Sequence, residues 1–413
     1  MARYCAIYKM QSNDSELKQT GMRMPESKRT FLPLACLVLG IVLSALCCPA
    51  AAGRALAAAE QTVRVGFKTL GLWHAHSNTR ADLAVWYPTG RIPSELHYGP
   101  WTIKAARNAR ELPGRFPLIL ISHDSPGARF SHHGNAEALA KTGFVVAALT
   151  HHGDNMDDMG HLFTLEQIRS RAAQIRAALD TLLTHPETHG FIDPRRIGIV
   201  GFGVGGAVAL LLGDARLDGR NWPMYCAGAE ADDPYCSPWA SSRMSALAAS
   251  LPLPSSLTDT RIKAVAAVAP AYGMFFTKES LARLRIPTLI LRAEHDRINR
   301  APLHADAIKN AMPHTPDYAV IKDADSASLM SACPPQVLRD LPELCSKVNA
   351  EKRAHIHHQL NTLLNRFLLE RLGRALPEEQ PELVHPQQEA ELHIELPPPA
   401  GPPETKARGK KRK

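Results

Sequence analysis

Beyond residue 57 the sequence is poor in cysteine and has no excess of positive charge. The whole chain of 413 residues has a net charge of +8, but six basic residues crowd into 406–413. Residues 1–57 add seven basic and three acidic side chains, which leaves residues 58–405 with a net charge of −2. A segment without a basic excess lacks the electrostatic signature of nucleic-acid binding. We therefore expect no nucleic-acid partner.

The four cysteines beyond residue 57 form two close pairs, Cys226 with Cys236 and Cys333 with Cys345. Their spacing does not resemble a zinc site, which excludes a zinc-binding module. Four cysteines permit three connectivities, and we predict the local pairing, in which each bridge closes a proline-rich loop in an oxidising compartment. The alternative is four unrelated buried thiols.

Residues 1–57 have the pattern of a signal peptide. Lys28 and Arg29 precede an apolar stretch at 31–48, and the small residues at 55–57 offer a cleavage site. This pattern predicts an exported protein, periplasmic or extracellular. Because 18 apolar residues nearly reach the thickness of a bilayer, an uncleaved membrane anchor is the alternative.

Short apolar runs alternate with helical patterns between residues 58 and 375. The predicted strands are 63–70, 83–87, 116–122, 144–149, 196–200, 262–268, 287–291 and 318–322, and the predicted helices are 136–142, 165–183, 204–212, 303–311 and 347–372. Several strands are continuously apolar, which indicates burial on both faces of a parallel sheet. The pattern predicts an α/β domain with a mostly parallel central sheet and helices on both faces.

Two segments depart from this alternation. Residues 213–260 carry proline, cysteine, tryptophan and small residues, and we interpret them as a small cap insertion. Residues 376–413 are rich in proline and glutamate and end in the basic run, which predicts a disordered tail. We favour a solvated tail, and the alternative is contact with a membrane through this tail or through the N-terminal segment.

The strongest motif lies at residues 196–212, where a buried strand passes through a glycine-rich turn into a helix of small residues. The spacing of Gly201, Gly203 and Gly205 matches a G-x-S-x-G nucleophile elbow with glycine in place of the serine. The turn is kept, and the nucleophile is missing. A dinucleotide-binding glycine loop fits less well, because no acidic residue follows at the expected offset. We expect no cofactor.

Five segments of the sequence, 84–88, 117–127, 144–155, 286–296 and 324–333, resemble the dienelactone-hydrolase-like and platelet-activating-factor-acetylhydrolase-like branch of the α/β-hydrolases. The resemblance spans about residues 80–372. It implies the α/β-hydrolase fold and a relationship to carboxylic-ester and lactone hydrolases.

Carried over position by position, the resemblance implies an incomplete catalytic triad. The acid position keeps its carboxylate in Asp296, whereas the nucleophile position is Gly203 and the base position is Ser326. The oxyanion-loop positions are Asp124, Ser125 and Val204. Asp124 stands where the family has glycine, and its charge would oppose a developing oxyanion. We therefore expect a hydrolase-family protein impaired in Ser-His-Asp catalysis.

Three alternatives remain open at this stage. Ser125 or Ser326 could act as a substitute nucleophile. A loop after a predicted strand carries His151, His152, Asp154 and His161, which are possible ligands of a metal-dependent enzyme. The chain could also be a non-catalytic protein that binds a partner or a small ester-like or lipid-like ligand. The sequence predicts no oligomeric state.

Overall fold

The computed structural model describes residues 62–74, 79–253, 257–345 and 347–373. The predicted signal segment 1–57 and the predicted tail 376–413 lie outside these ranges. The described residues build one large sheet with helices on both of its faces.

The sheet has ten strands among the described residues. They are β1 (Arg64–His74), β2 (Thr79–Thr89), β3 (Ser94–Tyr98), β4 (Trp101–Arg107), β5 (Phe116–Ser122), β6 (Val145–Leu149), β7 (Ile192–Phe202), β8 (Ile262–Val268), β9 (Thr288–Ala293) and β10 (Asp317–Ile321). Their spatial order is β10-β9-β8-β7-β5-β6-β2-β1-β4-β3. Strands β5 to β10 pair in parallel, so their carboxyl ends meet at one edge of the sheet. Strand β2 joins them antiparallel through β6.

Nine α-helices accompany these strands in the described residues. They are α1 (His133–Lys141), α2 (Leu165–Thr184), α3 (Val204–Leu212), α4 (Trp222–Gly228), α5 (Pro238–Ala249), α6 (Lys278–Leu281), α7 (Ala305–Ala311), α8 (Pro335–Asp340) and α9 (Ala350–Leu372). Helices α2 to α5 and α7 pack on one face of the sheet, and α1 and α9 pack on the other. Strands β5, β6, β8 and β9 consist mostly of buried apolar residues because helices cover both faces of the sheet there.

The predictions missed strands β3 and β4. In β4 buried and exposed side chains alternate at first, with Trp101 and Ile103 inward and Thr102 and Lys104 outward. This period of two belongs to a strand with only one buried face, so a search for continuous apolar runs passes over it. The two strands form a hairpin at the end of the strand order. Strands β5, β6, β2 and β1 lie between this hairpin and β7, which leads into the glycine-rich turn.

The segment predicted as a cap, 213–260, contains α4 and α5 and a short 3-10 helix at Pro234–Cys236. Buried aromatic residues of this segment, Trp222, Tyr225 and Tyr235, join the core on the face that carries α2 and α3. Within the described ranges, no helix is both long and apolar enough to cross a membrane.

Candidate functional site

The glycine-rich turn joins β7 to α3 at the edge where the parallel strands end. Gly203 has φ +51° and ψ −116°, a conformation that L side chains rarely adopt. A Cβ on Gly201 would lie 2.0 Å from the carbonyl oxygen of Gly205, and one on Gly205 would lie 2.2 Å from that of Ser122. The flanking glycines are therefore needed for the turn itself, whatever the chemistry at its apex.

The carboxylate of Asp124 occupies the space beside Gly203 where a side chain at that position would project. A Cβ built on Gly203 would lie 1.9 Å from Oδ1 and 2.1 Å from Oδ2 of Asp124. Oδ1 accepts hydrogen bonds from the backbone N–H of Val204 at 2.9 Å and of Ser125 at 2.7 Å. In a nucleophile elbow, the N–H after the apex and an N–H from the neighbouring loop hold the oxyanion. In this chain both groups hold a carboxylate of the protein.

Asp296 and Ser326, the acid and base positions, are in direct contact. Ser326 Oγ donates to Asp296 Oδ1 at 2.5 Å, and the backbone N–H groups of Ile298 and Asn299 donate to the same oxygen at 2.9 Å. Asp296 Oδ2 is buried and has no hydrogen-bond partner in the structure. The carboxylate of the acid position is present, and a short hydroxyl side chain stands beside it where an imidazole is expected.

Two carboxylates thus share the site. Burial, with a smaller contribution from the charge of Asp296, raises the pKa of Asp124 to about 6, against the opposing effects of the hydrogen bonds from Val204 and Ser125 and of the charge of Arg171. Burial also raises the pKa of Asp296, and the hydrogen bond from Ser326 opposes that rise. A site built to stabilise an oxyanion needs positive potential. The side chains here impose negative charge.

Replacing Asp124 by asparagine should stabilise the protein in a pH-dependent way. Since the pKa of Asp124 is about 6 when folded against an ordinary value of 3.8, the folded protein holds a proton that the unfolded chain releases between these pH values. A raised carboxyl pKa therefore costs stability as the pH rises through this window. The gain from Asp124→Asn in the free energy of unfolding should grow from pH 4 to pH 6, by about 1 to 3 kcal/mol, and then level off.

Urea unfolding at pH 4, 5, 6 and 7.5 measures this gain. Asp232→Asn is the matched control, because the hydrogen bond from Arg300 lowers the pKa of that exposed carboxyl. The control should show no gain toward neutral pH. An equal gain from Asp124→Asn at pH 4 and pH 7.5 would contradict the assignment.

Behind Asp124, a buried ion pair anchors the loop that carries it. Arg171 Nε contacts Asp154 Oδ2 at 2.6 Å, and both side chains are at most 1% exposed. Arg171 also donates to the carbonyl oxygens of His123 at 2.5 Å and Asp124 at 3.2 Å. Ser125 Oγ donates to Asp154 Oδ1. The hydroxyl of Ser125 is therefore bound to an ion-paired carboxylate and not to an imidazole.

The structure does not bring together the four candidate metal ligands of the loop after β6, His151, His152, Asp154 and His161. His151 Nε2 lies 2.9 Å from Ser122 Oγ, and its Nδ1 lies 3.2 Å from Gln174 Oε1. Asp154 is held by Arg171, and the ring of His161 packs over Gly153. The rings of His152 and His161 are 6.1 Å apart. Across the described residues no three His, Cys, Asp or Glu side chains are placed to hold one metal ion.

Both predicted cysteine pairs form disulfides in the structure. Cys226 bridges to Cys236, and Cys333 bridges to Cys345. The first bridge closes the part of the cap segment that leads to Tyr235, whose hydroxyl donates to Asn299 at 2.6 Å. This hydrogen bond ties the segment 213–260 to the loop that carries Asp296.

Sequence reasoning missed Gln167, Arg171 and Gln174, which line the back of the site from α2. All three side chains are buried, and they recur at helical spacing on one face of the helix. Such a polar stripe on a helix that otherwise packs against the sheet is a signal that the sequence contains. The sequence does not show that Gln167 and Arg171 bind Asp154, because only the fold brings that carboxylate next to α2.

Comparison with known proteins defines the class of the chain. The model of the dienelactone hydrolase family matches residues 104–220. A ferulic acid esterase from Streptomyces cinnamoneus superimposes with a TM-score of 0.53 at 19% identity, over 80% of this chain and 97% of the esterase. At that identity the likeness shows the fold alone. The chain therefore has the α/β-hydrolase fold, and over residues 104–220 it is similar to the dienelactone hydrolase family.

Curated relatives add ester hydrolases to this picture. Cutinase est2 of Thermobifida alba is 27% identical over 215 residues, which are 52% of this chain and 52% of the cutinase. Lipase 1 of Moraxella sp. (strain TA144) is 25% identical over 177 residues, 42% of this chain and 37% of the lipase. The matches span about half or less of each relative. The similarity to a cutinase and a lipase is confined to that part of each protein.

Proposed function

We propose that this protein is an ester-hydrolase relative that has lost Ser-His-Asp acyl transfer and that its altered site binds a ligand without cleaving it. One observation carries the proposal: the carboxylate of Asp124 fills the space of a nucleophile at position 203 and accepts both N–H groups that would hold an oxyanion.

The magnitudes favour loss of acyl transfer over a weakened activity. Removing the serine or the histidine of a Ser-His-Asp hydrolase lowers kcat by about 10⁶, and removing both costs little more. Such enzymes keep a residual rate of about 10³ to 10⁴ over water, which comes from the oxyanion hole and from binding. Here the backbone N–H groups of Val204 and Ser125, which would form the oxyanion hole, bind the carboxylate of Asp124 instead. The residual rate should therefore be lost as well.

Neither substitute nucleophile has a suitable base. The hydroxyl of Ser125 donates to Asp154, whose other oxygen is paired with Arg171 and accepts from Gln167. An ion-paired carboxylate is a weak base, because the neighbouring cation stabilises its charged form. Ser326 Oγ donates to Asp296 Oδ1, so its acceptor is a carboxylate and not an imidazole. Activation of a serine needs an adjacent base poised near the working pH.

An aryl-ester panel together with a serine-reactive fluorophosphonate tests this proposal. We expect no hydrolysis above the buffer rate and no covalent adduct by intact-mass measurement. The variants Ser125→Ala and Ser326→Ala serve as controls and should behave as the unchanged protein does. Stoichiometric labelling that either substitution abolishes would overturn the proposal and assign the nucleophile.

We also propose that the protein is exported into an oxidising compartment. The two disulfides, Cys226–Cys236 and Cys333–Cys345, support this placement, because such bridges are rare in reducing compartments. Intact mass of the protein recovered from the cell envelope and medium tests it, since export with cleavage near residue 57 removes the N-terminal segment. Recovery of the uncleaved chain in the membrane fraction would instead favour the anchor.

A further inference from the structure

We infer that the altered site binds a small organic cation with N–H donors, such as a primary ammonium group. The inference rests on the proposed function, because it names the ligand class of a site that binds without cleaving. It depends on the charge of the site, on one buried oxygen without a donor, and on the groups that surround them.

The charge of the site is the reverse of what ester hydrolysis requires. Asp124 and Asp296 contribute two carboxylates to the site. Arg171 is fully buried behind the site and directs its N–H groups to Asp154 and to backbone carbonyl oxygens. His132 stacks on Phe202 beside the elbow, and burial lowers its pKa to about 3, so that it is neutral at physiological pH. The complementary ligand is a cation.

Asp296 provides the second and independent observation. Asp296 is only 8% exposed, and its Oδ1 already accepts three hydrogen bonds. Oδ2 accepts none in the structure. A buried polar atom without a partner carries a desolvation cost, which is larger for a charged group. A ligand N–H placed against Oδ2 would remove that cost and form a charge-assisted hydrogen bond.

Room and access come from the same substitutions that remove the catalytic groups. Ser326 is much smaller than the histidine of an intact triad, so the space beside Asp296 is wider. Asp124, Ser125 and Ser326 are half-buried, which leaves the site open to solvent on that side. A donor such as an ammonium group can therefore approach Asp124 from outside, and it reaches the buried Oδ2 of Asp296 when the surrounding side chains move.

Aromatic rings stand close to these carboxylates. Burial raises the pKa of the Tyr235 hydroxyl, and the negative charges of Asp124 and Asp296 add smaller contributions to that rise. Its ring centroid lies 5.9 Å from that of Tyr272. Aromatic faces attract organic cations, so a ligand with an apolar body and a cationic end fits these surroundings better than a hydrated metal ion.

Titration of the protein with benzylammonium at pH 7.5, followed by isothermal calorimetry and by ligand NMR, tests the inference. We expect saturable one-site binding. Benzyl alcohol has the same shape without the charge, and benzyltrimethylammonium keeps the charge without the donors, so both should bind at least about tenfold more weakly. Asp296→Asn and Asp124→Asn should each weaken benzylammonium by about tenfold or more, whereas Asp232→Asn, an equal change of charge on the surface, should not.

Three results would overturn the inference: no saturable binding of benzylammonium, equal binding of benzyl alcohol, or full affinity in both Asp124→Asn and Asp296→Asn. If those variants do not fold, the ligand series on the unchanged protein still decides. Failure here is distinguishable from failure of the proposed function, which would appear as ester hydrolysis or serine labelling. A protein that neither labels nor binds an ammonium group keeps the proposed function and loses this inference.

Discussion

The triple variant Asp124→Gly, Gly203→Ser, Ser326→His is expected to hydrolyse simple aryl esters, whereas Gly203→Ser alone is not. A side chain at 203 would place its Cβ 1.9 Å from Asp124 Oδ1, so the carboxylate must be removed before a serine fits. Asp124→Gly also frees the N–H groups of Val204 and Ser125 for an oxyanion. Asp296 is already present to orient the introduced histidine.

The expected size of this effect follows from the cost of losing a triad. Because serine or histidine loss costs about 10⁶ in kcat, even a poorly aligned triad should raise the rate by about 10² to 10⁴. Release of p-nitrophenol from its acetate and butyrate esters measures the rate. The matched control is the double variant Asp124→Gly, Gly203→Ser, which lacks the base and should remain near the background rate.

Two outcomes would argue against the assigned site. The triple variant could fold with an unchanged circular-dichroism spectrum and still hydrolyse no ester, which would place the triad elsewhere. Alternatively, Gly203→Ser alone could hydrolyse the esters as fast as the triple variant does, which would show that Asp124 does not occupy the space of the nucleophile.

The second large effect is expected on stability, from Arg171→Met. The change leaves Asp154 buried without its cation, although Ser125 and Gln167 still donate to it. Removing one partner of a buried ion pair typically costs about 3 to 5 kcal/mol. We expect a loss of that size in the free energy of unfolding, measured by urea denaturation at pH 7.5.

The control for this prediction is Arg195→Met. The side chain of Arg195 is 82% exposed, and Asp193 keeps its closer ion pair with Arg196 at 2.8 Å, so the loss should be about 0 to 1 kcal/mol. Adding Asp154→Leu to Arg171→Met should recover part of the lost stability, because it removes the unpaired charge. Equal losses from Arg171→Met and Arg195→Met would contradict the role of the buried pair.

Much of the fold could be predicted from the sequence because its signals are local. Residues 118–121 of β5 and 197–200 of β7 are continuously apolar, which is typical of strands covered on both faces. The glycines at 201, 203 and 205 identify the turn, since their spacing reflects steric limits within a few residues. The close cysteine pairs likewise pointed to local bridges, and the structure contains both. The one-sided hairpin β3–β4 was missed because its pattern is weak.

The sequence by itself determined which groups are absent, namely a serine at 203 and a histidine at 326. Only the tertiary structure decided what took their place. Asp124 meets Val204 across 80 residues of chain, and Arg171 meets the carbonyl oxygen of Asp124 across 47. Periodicity and spacing report on neighbours along the chain, whereas these contacts arise because parallel strands bring their carboxyl ends to one edge. The charge of the site therefore follows from the fold, and its missing nucleophile follows from the sequence.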